Sequence, residues 1–317
     1  MNANREFKLI SQKFNIPHNF SSYSWEIRES VVLREQIDSK SYVYGEIAPT
    51  PGFPKQPLLS NVVKEAESWK ASQELIATSS LMPALSCMKS EIWQYNDEAD
   101  DENISLSPLV DAPALQNSYS TVKRKIGLLP VQKEINITKE WFQSLDSNCK
   151  VRLDANGSLT FDELKIWSKE LSNEHRIEFI EQPLNDNLRQ EMFAFAKDSP
   201  IPLAIDETIV AMGNPFLAME ENWVGLYVIK PTLLNDWQLT LEFAKENPNK
   251  TIFSTVFESP FGYEALIRAS KFSRLEAGIS RSYFRNSDTE LSCHHEDTLS
   301  SPCASQTQLS KLWSKIN

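Results

Sequence analysis

Five short strand-like segments, each ending in a charged residue, constrain this chain more than any other feature. They are TVKRK ending at Lys125, VRLD at Asp154, IEFIE at Glu181, LAID at Asp206 and LYVIK at Lys230. Their end points stand 29, 27, 25 and 24 residues apart. That spacing fits one strand, one helix and two connections per step. The full set of strand patterns falls at 104–110, 120–125, 150–154, 177–181, 201–206, 224–230, 251–255 and 275–279, with helical patterns near 131–145, 160–172, 186–198, 235–247 and 260–271. Eight strands with helices between most of them predict an α/β protein built on a parallel barrel. The connection at 111–119 and the link between the fifth and sixth strands are short of helix, so local irregularity is expected there.

The N-terminal part reads differently. Strands at 6–14, 25–37 and 41–48 form an antiparallel meander, with a polar loop at 15–24 that holds Phe20 and Tyr23. Helices follow from Asn61 to Ser72, with Ser60 as the expected cap, and from Pro83 to about Tyr95. The acidic run at 96–103 reads as a linker. The expected division is an α+β capping domain over 1–100, with a possible contribution from 285–317, and a catalytic barrel over 104–284.

Composition removes several classes of function. A formal net charge of −11 is unsuited to nucleic acid, whose phosphates need clustered Lys and Arg. No run approaches the ~18 apolar residues of a membrane span, and MNANREFKLI has no apolar targeting segment. Cys87, Cys149, Cys293 and Cys303 are scattered, as in a protein with reduced thiols, so a cytoplasmic location is expected. His18 and His175 stand alone, and Cys293-His294-His295 lies in a polar tail that reads as surface.

Catalytic groups of a parallel barrel project from the C-terminal ends of its strands. Asp154, Glu181 and Asp206 end three consecutive strands and would meet at the barrel mouth. Like charges so placed call for a cation, and an all-oxygen set favours Mg²⁺, with Mn²⁺ possible, over zinc. Lys123 and Lys125 share one face of the strand before this set, and Lys230 ends the strand after it. A substrate at the metal would lie between two amines, and a lysine near another ammonium and a metal should have a depressed pKa. The chemistry that fits is proton abstraction α to a carboxylate. Strand alternation also puts Arg152 and Asn156 on the face of Asp154.

The motifs KRKIG, RLDANG, EFIEQPL, AIDET and IKP resemble the enolase superfamily in its muconate-lactonising subgroup, and within it the o-succinylbenzoate synthases. WEIRESVVLRE, YGEIAPTPGFP and STVFESPFG extend the likeness over about residues 5 to 280. The resemblance implies a modified (β/α)7β barrel with an N-terminal cap. Carried over by position, it implies Asp154, Glu181 and Asp206 as Mg²⁺ ligands, Lys125 as the base and Lys230 as the group that stabilises an enediolate. It further implies Lys123 beside the metal-bound carboxylate, Ser254 and Thr255 at the succinyl end of the substrate, and the loops at 15–24 and 50–57 as its cover. The expected partner is a small dicarboxylate and the expected reaction a dehydration. Racemisation of N-acylamino acids, or a related epimerisation, would use the same two lysines, and a non-catalytic binding protein is the alternative of another class.

Overall fold

The computed structural model describes residues 4–20, 23–72, 78–94, 104–109, 119–281, 283–284, 291, 300–301 and 303–316. The connection at 111–118, the acidic run at 96–103 and the Cys293-His294-His295 cluster lie outside them.

Strands β1 (Arg5–Phe20), β2 (Tyr23–Gln36) and β3 (Tyr42–Ile47) form an antiparallel sheet in the order β1-β2-β3. Val31, Val32 and Leu33 are all fully buried, so the central strand is covered on both faces. The expected polar loop at 15–24 is instead an extension of the hairpin, with its register shifted between Lys13 and His18. Such an irregularity lets a strand bend away from the plane of its sheet. Helix α1 (Leu59–Lys70) begins two residues earlier than the pattern indicated, and Ser60 lies inside its first turn rather than capping it. Helix α2 (Met82–Lys89) has Pro83 in its first turn, where the missing N–H costs nothing.

The second unit has strands β4 (Ile104–Ser105), β5 (Thr121–Lys125), β6 (Lys150–Asp154), β7 (Ile177–Glu181), β8 (Leu203–Ile205), β9 (Leu226–Ile229) and β10 (Thr251–Phe253). β5 to β10 make one parallel sheet in sequence order. Single parallel bridges close the ring: Leu109 with Lys123, Ser254 with Gly278 and Leu106 with Ala277. The hydrogen bonds of Lys123 N to Pro108 O (2.8 Å) and of Ser107 N to Ala277 O (2.8 Å) complete the closure. The eight expected strand positions are therefore neighbours around one barrel, with the antiparallel sheet as its cap.

Helices α3 (Val131–Gln143), α4 (Phe161–Glu170), α5 (Arg189–Ala196), α8 (Trp237–Glu246) and α9 (Pro260–Ser270) occupy the expected connections. α4 starts where a Thr160–Glu163 capping box satisfies two orphan N–H groups. Between β8 and β9 the chain uses two six-residue helices, α6 (Glu207–Met212) and α7 (Pro215–Glu220), separated by Gly213. Ser300–Ser301 form β11, which pairs with β4, and α10 (Gln306–Lys315) follows.

α10 packs Leu309, Leu312 and Trp313 into the same apolar cluster as Val31, Leu33 and Tyr44. Trp313 Nε1 donates to Glu6 Oε2 (3.1 Å). A second cluster fills the space between barrel and helices, and Phe179, Ala204, Val228 and Ile252 plug the barrel interior. Glu46 on β3 joins cap to barrel: buried at the start of α9, it accepts from Ser259 N, Ser259 Oγ and Gly262 N. A carboxylate there also complements the positive end of the helix dipole.

Candidate active site

The tips of the barrel strands and two segments of the cap enclose a cavity of about 870 Å³. From β5, Lys123 and Lys125 face it together, as period-two alternation requires. From β6 come Asp154 and, past the strand end, Asn156. Glu207, Lys230, Ser254 and Thr255 line it from the following strand ends. Asn15 to His18, Trp25 and Thr50 to Pro54 roof it from the cap.

The three expected metal-binding carboxylates occupy consecutive strand tips and are at most 3% exposed. Lys123 Nζ bridges Asp154 Oδ2 and Glu181 Oε1, each at 2.7 Å. Lys230 Nζ pairs with Asp206 Oδ2. Glu181 and Asp206 thus lie behind ammonium groups that do face the cavity. Among the described residues, no three acidic, His or Cys side chains converge closely enough to hold a metal ion as they stand.

The charges around them are out of balance. Burial and the nearby Asp154 push Glu181 up to about 7 despite Lys123. Burial and Glu207 push Asp206 up to about 6 despite Lys230. Asp206 Oδ1 and Glu207 Oε2 are buried with no hydrogen-bond partner. Two ammonium groups therefore leave the cluster short of positive charge, and hard carboxylate oxygens with no soft donor suit Mg²⁺. The donor set fits the ion.

Lys230 is held in its charged form. Burial pushes its pKa down, but Asp206, Glu207 and Glu181 together hold it above the ordinary value. The ammonium form is the stable one there, and its Nζ lies 5.6 Å from the ring centroid of Phe53. Burial likewise opposes the charged form of Asp154, and Lys123 beside it still holds that carboxyl below its usual range. Lys125 is exposed within the cavity.

Arg152 does not line the cavity. It is buried in the barrel interior over the Phe179 ring, with Nε 2.5 Å from Glu178 Oε2 and Nη1 2.8 Å from Glu276 O. One step along an inward-facing row places a side chain one layer deeper, and Arg152 sits one such layer below Asp154. Asn156 takes a left-handed backbone (φ +44°), followed by Gly157 (φ +72°). This sharp turn lets Asn156 N donate to Asp154 Oδ1 (3.0 Å) and Asn156 Nδ2 donate to Glu207 Oε1 (3.1 Å). Ser254 Oγ donates to Gly278 O, and Thr255 Oγ1 to Glu258 Oε2. Phe20 and Tyr23 fall at the tip of the β1–β2 hairpin, and their side chains are outside the described set.

Sequence reasoning missed three residues. Glu207 adds a fourth carboxylate, and its only signal was the acidic pair in AIDET. Gln182, fully buried at φ +34°, accepts from Asp206 N (2.9 Å) and Thr208 N (3.1 Å), and donates to Leu184 O and Thr208 Oγ1 (both 2.9 Å). It fixes the backbone that presents Asp206. His18, isolated in sequence, packs against Phe14 and Phe257, and burial with Lys125 nearby lowers its pKa.

Residues 109–234 match the family model for the enolase C-terminal domain-like fold. The o-succinylbenzoate synthase of Thermosynechococcus vestitus is 25% identical over 297 residues, covering 86% of this chain and 88% of that protein. The crystal structure of o-succinylbenzoate synthase from Thermosynechococcus elongatus, with Mg in its active site, superposes with a TM-score of 0.76 at 20% identity, covering 99% of this chain and 100% of that one. The L-Ala-D/L-Glu epimerase of Bacillus subtilis gives 0.70 at 16% identity, covering 90% and 91%. Over residues 109–234 the chain is similar to the enolase C-terminal domain-like family, and over most of its length it resembles proteins named o-succinylbenzoate synthase.

Proposed function

We propose that this protein is a Mg²⁺-dependent o-succinylbenzoate synthase, removing water from 2-succinyl-6-hydroxy-2,4-cyclohexadiene-1-carboxylate in the cytoplasm, on a route to menaquinone or phylloquinone. The observation that supports this most is one cavity presenting both Lys125 and Lys230 above three consecutive strand-tip carboxylates. Asp154, Glu181 and Asp206 are the proposed holders of Mg²⁺, with Mn²⁺ as a substitute. Mg²⁺, when bound, supplies positive charge beside the substrate carboxylate. We likewise propose 1–100 with 285–317 as the cap and 104–284 as the catalytic unit, a division supported by α10 packing on the cap sheet.

In this reading the neutral amine of Lys125 takes the proton from the carbon next to the carboxylate. The C–H electrons pass into the carboxylate as an enediolate, and a fixed ammonium on Lys230 stabilises that charge. The electrons then return to form the ring double bond as hydroxide leaves, and Lys125 gives it the proton, so that water departs. The raised pKa of Lys230 supports the stabilising role rather than that of a base. Ser254 and Thr255 face the succinyl end, while 15–18 and 50–54 cover the substrate. Arg152 is left a supporting place inside the barrel. A racemase or epimerase reading has support in the same pair of lysines, because two-faced proton transfer needs an amine on each side. An absorbance assay on the cyclohexadiene substrate, alongside N-succinyl amino acids in D₂O, separates the two: inversion with rapid exchange and no dehydration would remove the synthase reading.

A further inference from the structure

Residues 254–259 join β10 to α9, and Phe257 among them has φ +65°. A bulky side chain in the left-handed region is strained by about 1–3 kcal/mol and persists only where its surroundings over-determine it. Here they do. Glu258, fully buried, accepts from Thr255 Oγ1 (2.5 Å), Val256 N (2.9 Å) and Thr232 Oγ1 (2.8 Å). Thr255 Oγ1 in turn accepts from Phe257 N (2.8 Å). From the cap, Arg28 Nε donates to Phe257 O (3.0 Å) and Arg28 Nη1 to Pro49 O (2.5 Å). One guanidinium, 1% exposed, therefore ties the barrel loop to the cap segment that roofs the cavity.

Phe257 is one of the residues that line that cavity, and its ring packs among others that do. Its centroid stands 4.7 Å from His18, 4.9 Å from Tyr283, 5.2 Å from Phe14 and 5.8 Å from Trp25. None of the proton-transfer steps uses these groups. We propose that Phe257 is a specificity-determining wall of the site, its ring packing on the apolar part of the bound carboxylate substrate, with Glu258 and Arg28 as positioning residues that hold the ring there. The identity of the substrate rests on the function proposed above; the wall itself rests on the loop geometry.

Phe257→Gly separates strain from contact, because glycine takes φ +65° freely and keeps the fold while removing the ring. KM for the cyclohexadiene substrate and Kd for o-succinylbenzoate or N-succinylphenylglycine are expected to rise about tenfold, equivalent to about 1.4 kcal/mol. kcat is expected to change less than KM. Phe257→Leu is expected to recover part of the affinity, and Arg28→Lys to lose part of it. Affinity in Phe257→Gly within about twofold of wild type overturns the proposal while leaving the dehydration reading intact. A wild type that binds N-succinylphenylglycine without dehydrating anything, and loses that binding in Phe257→Gly, overturns the dehydration reading and retains the wall. A wild type that binds neither ligand overturns both.

Discussion

Gln182→Leu is the most searching test of how the barrel presents its carboxylates. The amide of Gln182 is buried and makes four hydrogen bonds, two of them from the backbone N–H groups of Asp206 and Thr208. Leucine has a similar volume, so the substitution opens little cavity but leaves both N–H groups and Leu184 O without partners. Each orphaned buried N–H costs about 1–3 kcal/mol, so the two together cost about 2–6 kcal/mol. That is a large share of the ~5–15 kcal/mol by which a domain is stable. Thr208→Val is the control, removing a single side-chain bond worth about 1 kcal/mol. Urea unfolding of both variants, followed with and without Mg²⁺, measures the difference. The Mg²⁺-induced gain should also shrink in Gln182→Leu, because Asp206 loses the fixed backbone that aims it. A loss below about 1 kcal/mol would refute the argument that Gln182 supports this strand tip.

Three further outcomes are expected. Lys125→Ala should lower dehydration about 10³-fold or more, as for loss of a general base, while calorimetry shows Mg²⁺ and product still binding; comparable turnover would remove Lys125 from that role. In EDTA, Glu181 and Asp206 titrate at about 7 and about 6, above ordinary values of 4.5 and 3.8, so the stability they supply is full below their unfolded values and lost as pH rises through the folded ones. The melting temperature in EDTA should therefore fall from about pH 5 to about pH 8, with Mg²⁺ opposing the fall, and a rise over that range would contradict the assignment. Gly45→Ala places a Cβ 2.1 Å from Ala84 O, a backbone atom of α2, so denaturant unfolding should show a loss of about 1–3 kcal/mol or more.

The barrel was legible because its strands are short apolar runs with a regular spacing, and each ends in a functional group rather than a generic turn. Asp154, Glu181, Asp206 and Lys230 could be placed at strand tips for that reason. The helices α6 and α7 escaped because neither exceeds six residues, too short for a 3.6-residue period to stand out. The 15–24 stretch of the β1–β2 hairpin reads as a loop because Asn15, Pro17, His18 and Asn19 are turn-forming or polar, while the pairing of His18 with Trp25 is a non-local fact. Arg152 shares a face with Asp154, but face alone does not fix depth within a barrel. Glu207, Gln182 and His18 gain their meaning only from neighbours far away in sequence, and alternation within one strand does not report them. The raised pKa of Lys230 comes from Asp206, Glu207 and Glu181, which only the fold brings around it.

The central claim is that strand-tip carboxylates and two lysines form one Mg²⁺-dependent dehydration site. Its most direct test is to follow the absorbance of 2-succinyl-6-hydroxy-2,4-cyclohexadiene-1-carboxylate with purified protein, with Mg²⁺ and with EDTA. Turnover with Mg²⁺ that stops in EDTA and is absent in Lys125→Ala is the predicted result. Turnover that persists in EDTA, or none under either condition, would contradict it.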